Sequence, residues 1–223
     1  MDYILNIHTA TDTAIVNLTY GQKLLGTKIN HNPREHAGFL HQAILDLLKK
    51  EGVLVKNLSA IGISTGPGSY TGVRVGLATA YGLGYSLKIP LIPYNSLEIM
   101  AKTAINFIRE TSILYCPMID AKRMEVFTAL YDYQLQEIMP PSAMVLNENS
   151  FEEYLSSFKV AFCGSGSKKF QKVSSKEKSY FIDAHISSES IAEISLNKYK
   201  ENDFHTTPYP QPLYIKNFYT ILK

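Results

Sequence analysis

The feature that most constrains the fold of this 223-residue chain is a series of three short strand-like runs that occurs twice. Near the N-terminus the runs cover residues 3–7, 14–19 and 24–29, with small polar turns between them. A similar series returns at 113–119, 125–131 and 143–146, where the last run follows a break at Pro140-Pro141. Two such series favour a duplicated αβ unit, and two unrelated hairpins remain the alternative.

The segments between these strands show the apolar periodicity of helices. Pro33 opens a first helix whose apolar residues recur three and four apart, and Gly52 ends it. Ser96 is a plausible N-cap for a later helix. Further helices are predicted at 73–87, 96–107, 151–158 and 188–199, and further strands at 58–65, 89–93 and 160–163.

Strands that alternate with helices in two similar halves predict an α/β fold with mixed sheets. Duplicated units of this kind suit the actin-like fold. We expect an N-terminal subdomain at 1–105 and a C-terminal subdomain at 106–223, and the last segment could cross back to the first subdomain. The boundary is expected within 100–110.

Composition excludes few classes of protein. The 22 basic and 20 acidic side chains leave a net charge of +2, which is too even to argue for nucleic-acid binding by itself. Cys116 and Cys163 lack the paired spacing of a zinc or redox motif. No signal peptide or bilayer-length apolar run is visible, so we expect a cytoplasmic protein without a membrane contact.

A glycine-rich loop at 66–72 joins a predicted strand to a predicted helix. Backbone N–H groups at a helix N-terminus favour anions. The loop lacks the lysine of a phosphate-binding Walker loop, and a tight structural turn is the favoured interpretation. The weak candidates for cofactor binding are Gly66, Gly68, Ser69 and Thr71.

The sequence gives little support for a metal site or for a catalytic nucleophile. His8 follows the first strand where an acid would help to hold a metal–phosphate, and the nearest acids are Asp12 and, in the second half, Asp120. Histidines five residues apart do not share a helix face as zinc ligands do. We therefore predict no catalytic residue, no metal and no cofactor. A cluster of lysines indicates a solvated face, with RNA contact as the lesser alternative: Lys168, Lys169, Lys172, Lys176 and Lys178.

The predicted second helix, 73–87, carries a single charge and several glycines. Small residues four apart form a smooth stripe, and each glycine inside a helix costs roughly 1 kcal/mol relative to alanine. A nearly uncharged helix predicts a partner surface, unless the second half of the chain covers it. The candidate interface residues are His36, Phe39, Ala43, Arg74, Gly76, Ala80, Tyr81, Gly84 and Tyr85.

The segment Gly66-Pro-Gly-Ser-Tyr-Thr-Gly-Val-Arg-Val-Gly76 closely resembles the signature of the TsaB family. Three further segments resemble the family's pattern in the same order along the chain: Pro33-Arg34-Glu35-His36, Ile119-Asp120-Ala121-Lys122 and Pro212-Leu213-Tyr214-Ile215-Lys216-Asn217. The family has Asp where this chain has His8, which weakens any expectation of nucleotide binding.

The resemblance implies an actin-like fold whose nucleotide site has degenerated. It implies a heterodimer with the catalytic paralogue TsaD, formed through the first two helices, and assembly with the ATPase TsaE. It further implies contact with tRNA only through that complex, and self-pairing when TsaD is absent. The expected function is a non-catalytic scaffold in tRNA threonylcarbamoyladenosine formation. The alternative is a small-molecule kinase or ATPase that uses the 66–72 loop with Asp12 or Asp120; a peptidase has less support.

Overall fold

The computed structural model describes residues 2–174, 177–206 and 210–215. The strands are β1 (Tyr3–His8), β2 (Ala14–Tyr20), β3 (Lys23–Asn30), β4 (Leu58–Gly66), β5 (Leu91–Asn95), β6 (Leu114–Asp120), β7 (Glu125–Tyr131), β8 (Glu137–Val145), β9 (Val160–Cys163) and β10 (Ser179–Phe181). The helices are α1 (His36–Lys50), α2 (Tyr70–Leu87), α3 (Ser96–Ile108), α4 (Glu152–Ser157), α5 (Ser167–Gln171) and α6 (Ser188–Lys200), with short 3-10 turns at Pro33–Glu35 and Val55–Asn57.

The strands form two five-stranded sheets of the same topology. The first sheet has the order β3-β2-β1-β4-β5, and the second has the corresponding order β8-β7-β6-β9-β10. In each sheet the first three strands are antiparallel, and the last two run parallel to the central one. The two series seen in the sequence are therefore two copies of one unit, and the prediction of a duplicated α/β fold with mixed sheets is confirmed.

Helices cover both faces of the first sheet. Leu5 and Ile7 pack with α1 and α2 on one face, while Ile4 packs with residues of α6 on the other. This two-sided burial explains why β1 is almost continuously apolar rather than alternating.

Two adjacent helices connect the halves. Helix α3 contributes Met100 and Ile105 to the core of the second sheet, although it follows the last strand of the first. Helix α6 lies beside α3, and the two helices are joined by an ion pair between Glu193 and Lys102 at 2.5 Å. Helix α6 also packs on the first sheet. The C-terminal part of the described chain thus returns to the N-terminal half, and residue 105 falls inside α3.

Several local expectations need correction. Strand β8 begins at Glu137 and passes through Pro140-Pro141, which were expected to break it. Because β8 is an edge strand with an irregular register here, the prolines need no ladder donor. The cap of α3 is Asn95 rather than Ser96, and its side chain forms a capping box with Glu98. Helix α2 begins at Tyr70, three residues earlier than predicted.

Three further observations bear on the sequence analysis. Cys116 and Cys163 are both buried free thiols. None of the helices in the described part of the chain combines the length and apolar character that a membrane crossing requires. Lys176, Pro208 and the motif pair Lys216-Asn217 lie outside the described residues.

Candidate functional site

A cleft of about 920 Å³ separates the two halves at the ends of their central strands. The turn after β1 lines one wall and the equivalent turn after β6 lines the other, so the duplication brings the two turns face to face. Gly68 and Ser69 of the glycine-rich loop also reach the cleft, whereas Gly66 and Thr71 do not line it. The turn residues that line it are Thr11, Asp12, Thr13, Asp120, Ala121 and Lys122.

His8 holds the first turn in shape. The side chain is fully buried, and its Nε2 lies 2.9 Å from the hydroxyl of Thr11. The Nε2 atom of His36, the first residue of α1, lies 3.0 Å from the carbonyl of the same threonine. Burial, with a smaller effect of His36, lowers the pKa of His8 to about 3. His8 is therefore a neutral structural residue, and a neutral imidazole is a poor ligand for magnesium.

Asp120 in the second turn already forms an ion pair and a hydrogen bond within the chain. Its carboxylate lies 2.9 Å from the ammonium of Lys169 and accepts a 2.6 Å hydrogen bond from the backbone N–H of Lys122. Partial burial opposes ionisation, but these interactions prevail and the pKa of Asp120 is lowered. Across residues 2–174, 177–206 and 210–215, no group of three or more His, Cys, Asp or Glu side chains is placed to hold a metal ion.

The glycine-rich loop packs tightly against the first turn. Ser69 donates its backbone N–H to the carbonyl of Ala10 at 2.7 Å, and a Cβ on Gly68 would overlap that carbonyl. The Ser69 hydroxyl caps α2 by accepting from the N–H of Gly72 at 3.3 Å. These donors are used within the chain, which is the behaviour of a structural turn.

The small-residue stripe of α2 faces inward, so its predicted role as a partner surface is wrong. A Cβ on Gly76 would overlap the Thr9 hydroxyl, and one on Gly84 would lie 2.8 Å from the side chain of Leu91. Ala80 is fully buried. The stripe lets α2 approach its own sheet closely, and this packing offsets the cost of glycine in the helix.

The predicted interface residues of α1 are also buried or half-buried. His36 and Ala43 are both buried in the first half, so neither is accessible to a partner. Phe39 is half-buried and packs against the same core. Ala37, in the first turn of α1, is exposed.

The outward face of α2 is nearly uncharged, whereas α1 exposes Asp46, Lys49 and Lys50 beside its apolar residues. Both helices pack on the same face of the first sheet and contact each other, so their opposite faces point away from the protein. Tyr85 is 76% exposed and Leu45 is 58% exposed. We define the α1–α2 surface by six exposed residues: Gly38, His41, Leu45, Ala78, Gly82 and Tyr85.

Two glycines on the α1–α2 surface, Gly38 and Gly82, face open space. A Cβ added to Gly38 or to Gly82 would meet nothing within 4 Å. Ala78 and Gly82 are four residues apart, just as Gly76 and Ala80 are. The sequence contains both stripes, and spacing alone does not decide which one faces the sheet.

The single charged residue of α2, Arg74, lies at one end of the α1–α2 surface. The Arg74 guanidinium lies 3.5 Å from the ring centroid of Tyr70, and its Nε donates to the hydroxyl of Tyr214 at 3.0 Å. Tyr81, the remaining predicted interface residue, is half-buried and donates to the carbonyl of Pro210. Residues 210–215 therefore lie along α2, next to the α1–α2 surface.

Comparison with known proteins gives a consistent family. The model of the family described as "TsaD: tRNA N6-adenosine threonylcarbamoyltransferase" matches residues 23–208. The tRNA threonylcarbamoyladenosine biosynthesis protein TsaB of Bacillus subtilis is 33% identical over 64% of this chain and 62% of its own length. The protein of the same name from Escherichia coli is 34% identical over 57% of this chain. The match spans 54% of the Escherichia coli protein, so just over half to three fifths of each relative is covered.

Solved structures agree on the fold. A Pseudomonas aeruginosa protein described as similar to peptidase YEAZ has a TM-score of 0.84 and 21% identity, covering 97% of this chain and all of that one. YeaZ from the same organism has a TM-score of 0.81 and 23% identity, covering 96% and 100%. A glucomannokinase from Arthrobacter has a TM-score of 0.50 and 11% identity, covering 90% and 98%, which extends the likeness to a kinase fold. With its duplicated sheets, its glycine-rich loop and a family match over residues 23–208, the chain belongs to the family of TsaD, the tRNA N6-adenosine threonylcarbamoyltransferase.

Proposed function

We propose that this chain is a non-catalytic subunit in the formation of threonylcarbamoyladenosine on tRNA, and that it binds and supports a TsaD-like catalytic paralogue. The α1–α2 surface is the site of pairing in this proposal. Family membership and the names of the relatives support the pathway. The geometry of the cleft and of the α1–α2 surface supports the division of roles.

The state of the cleft supports a non-catalytic role. An actin-like kinase holds a metal–phosphate with acids in its strand-end turns, whereas here the first turn carries the buried neutral imidazole of His8. Asp120 in the second turn is neutralised by Lys169. The N–H of Ser69 is used by Ala10 rather than presented to a phosphate.

One observation is the main support for the α1–α2 surface as the site of pairing. Gly38 and Gly82 lie inside long helices and face outward into open space. An exposed glycine in a helix costs about 1 kcal/mol relative to alanine, and no contact within the chain offsets that cost. Close approach of a partner helix would offset it, because a missing Cβ lets two backbones pack near each other. Tyr85 and Leu45 beside them supply the large apolar side chains that anchor interfaces.

Further partners follow from the same family assignment. A TsaE-like ATPase would join the pair, and tRNA would be modified only by the complete complex. In the absence of the paralogue, the α1–α2 surface would pair with a second copy of this chain, since an apolar helical face can be self-complementary.

The test is reconstitution of threonylcarbamoyladenosine formation from purified components. We expect modification of tRNA when this chain, the TsaD-like paralogue and the TsaE-like ATPase of the same organism are combined with threonylcarbamoyl-adenylate. Omission of this chain should reduce the modification to background. Full activity without the chain would contradict the proposal.

A small-molecule kinase or ATPase remains the second candidate, because the cleft is large and Asp12 is exposed at its edge. Magnesium-dependent nucleotide hydrolysis by the chain alone tests it. Turnover that disappears in an Asp12→Asn variant would favour the kinase or ATPase over the scaffold.

A further inference from the structure

Helix α2 carries one charged side chain in its 18 residues, and that side chain is Arg74. The first turn of the helix contains no acidic residue. Arg74 lies near the N-terminal end of the helix, where the dipole favours anions over cations. The helix thus places an unneutralised cation at the end that would itself attract a carboxylate.

Two aromatic rings fix the position of the Arg74 guanidinium. It lies 3.5 Å from the ring centroid of Tyr70 and 6.0 Å from that of Tyr214, and the two ring centroids are 5.6 Å apart. The Nε of Arg74 donates to the Tyr214 hydroxyl at 3.0 Å. The ring contact and this hydrogen bond restrict a long side chain, so the charged group is oriented before any partner binds.

Tyr214 is itself held against the first half of the molecule. Its neighbour Leu213 donates a backbone N–H to the carbonyl of Thr65, in β4, at 2.8 Å. At the start of the same segment, the carbonyl of Pro210 accepts a hydrogen bond from the hydroxyl of Tyr81, on α2. These two contacts fasten residues 210–215 alongside α2. A segment that is distant in the sequence therefore supports Arg74.

The guanidinium keeps donors for a further group. An arginine side chain carries N–H groups on Nε and on both Nη atoms, and Tyr214 accepts only from Nε. Among the residues that the structure describes, the Nη atoms have no hydrogen-bond acceptor and Arg74 forms no ion pair with a carboxylate. A planar guanidinium matches the two oxygens of a carboxylate, which it binds with two parallel hydrogen bonds.

Arg74 continues the outward stripe of α2. Ala78, Gly82 and Tyr85 follow it at intervals of four, four and three residues, and all four residues are exposed. This spacing places them on one face of the helix. The α1–α2 surface is thus continuous with Arg74, and a partner that covers the whole stripe covers the guanidinium as well.

We infer that Arg74 binds a carboxylate of the TsaD-like paralogue, and that Tyr70 and Tyr214 are positioning residues for this ion pair. The inference rests on the proposed function and adds the chemistry of the partner. The partner would present a helical face with small or apolar residues opposite Gly82 and an aspartate or glutamate opposite Arg74. Electrostatic complementarity of this kind selects a partner more than it adds affinity.

A second copy of this chain is a poorer match for Arg74. Helix α2 has no acidic residue, and the only acidic residue of α1 is Asp46. The Asp46 carboxylate already accepts a hydrogen bond from Gln42 at 2.8 Å. The ion pair at Arg74 therefore favours the paralogue over self-pairing.

Binding titrations with the purified paralogue, at low and at high salt, test the inference. We expect Arg74→Gln to lower the affinity about tenfold or more and to weaken its salt dependence, because salt screens an ion pair. Arg74→Lys keeps the charge but loses the planar fork, so its affinity should lie between the two. The matched control is Arg123→Gln, which removes an exposed arginine of the second half and should stay within about twofold. Thermal denaturation checks the folding of each variant.

Tyr214→Phe separates the support from the charge. This change keeps the ring but removes the hydroxyl that accepts from Nε, and we expect an affinity loss of about threefold. The same change in the Arg74→Gln background should cause no further loss, because the positioning role acts only through Arg74. An equal loss in both backgrounds would contradict that role.

Three results would overturn the partner assignment, and they are distinguishable. Equal affinity of the wild type and Arg74→Gln for the paralogue would contradict the ion pair and leave the proposed function standing. A wild-type chain that does not bind the paralogue would contradict the proposed function and the inference with it. A dimer of this chain that Arg74→Gln weakens as strongly as the complex with the paralogue would identify a second copy as the partner of Arg74.

Discussion

His8 is a fully buried histidine at the end of the first strand, beside the cleft turn that it holds in shape. The imidazole is buried with its pKa at about 3, against an ordinary value of 6.5, so folding keeps it neutral. Because folding lowers the pKa of His8, there is a pH range in which His8 binds a proton in the unfolded chain but stays neutral in the native chain. The resulting loss of stability begins as pH falls through about 6.5 and continues towards pH 3.

We expect the free energy of unfolding to fall by about 2 kcal/mol between pH 7 and pH 5 through His8 alone, since each pH unit in this window contributes up to about 1.4 kcal/mol. A His8→Asn variant should lack this part of the slope. Urea unfolding of both proteins at pH 7, 6 and 5 provides the measurement. Parallel pH profiles would show that His8 is not held neutral.

At the same scale, Gly82→Ala should stabilise the free chain by about 0.5–1 kcal/mol. The new methyl group meets open space, and alanine is the better helix former. Chemical denaturation measures the difference, with Gly76→Ala as the contrasting variant, because a methyl group there would overlap Thr9. A destabilised Gly82→Ala would mean that this glycine is needed within the chain.

At the scale of the element, helix α2 carries two stripes of small residues with different roles. Gly76, Ala80 and Gly84 pack on the sheet, whereas Ala78 and Gly82 face outward. We expect Gly84→Leu to lower the melting temperature by 10 °C or more or to prevent folding, because a Cβ already lies 2.8 Å from Leu91. Gly82→Leu should melt within a few degrees of the wild type. Equal effects in thermal denaturation would contradict this assignment of the two faces.

Periodicity predicted the elements better than it predicted their orientation. The repeated strands, the glycine-rich loop and most helices follow from local patterns of apolar residues. The inward direction of the Gly76 stripe does not, because both faces of α2 are small and uncharged and only the position of the sheet separates them. Strand β8 was predicted too short, since the tolerance of Pro140-Pro141 depends on its place at the edge of the sheet.

At the scale of the whole molecule, the duplication explains why a cleft exists between the two halves. Two copies of one unit place equivalent turns face to face, and both turns are then stabilised internally, by His8 in one and by Lys169 with Asp120 in the other. The helices have diverged further. Helices α1 and α2 have 15 and 18 residues, while the corresponding α4 and α5 have 6 and 5. The long pair, α1 and α2, forms the α1–α2 surface.

The family could be predicted from the motif at 66–76, and the family match agrees with it. The site could be predicted only in part. Arg74, Tyr81 and Tyr85 lie on or beside the outward face of α2, but His36, Ala43, Gly76, Ala80 and Gly84 are buried. Burial depends on contacts between residues distant in the chain, which a single sequence does not display.

The most direct test of the account is size-exclusion chromatography with light scattering, on this chain mixed with the TsaD-like paralogue of the same organism. We predict a one-to-one complex with the wild type, and loss of that complex with Gly82→Leu while the variant stays folded. Lys56→Gln, an exposed change away from α1 and α2, should pair normally. A Gly82→Leu variant that pairs with unchanged affinity would contradict the α1–α2 surface, and a wild-type chain that ignores the paralogue would contradict the proposed function.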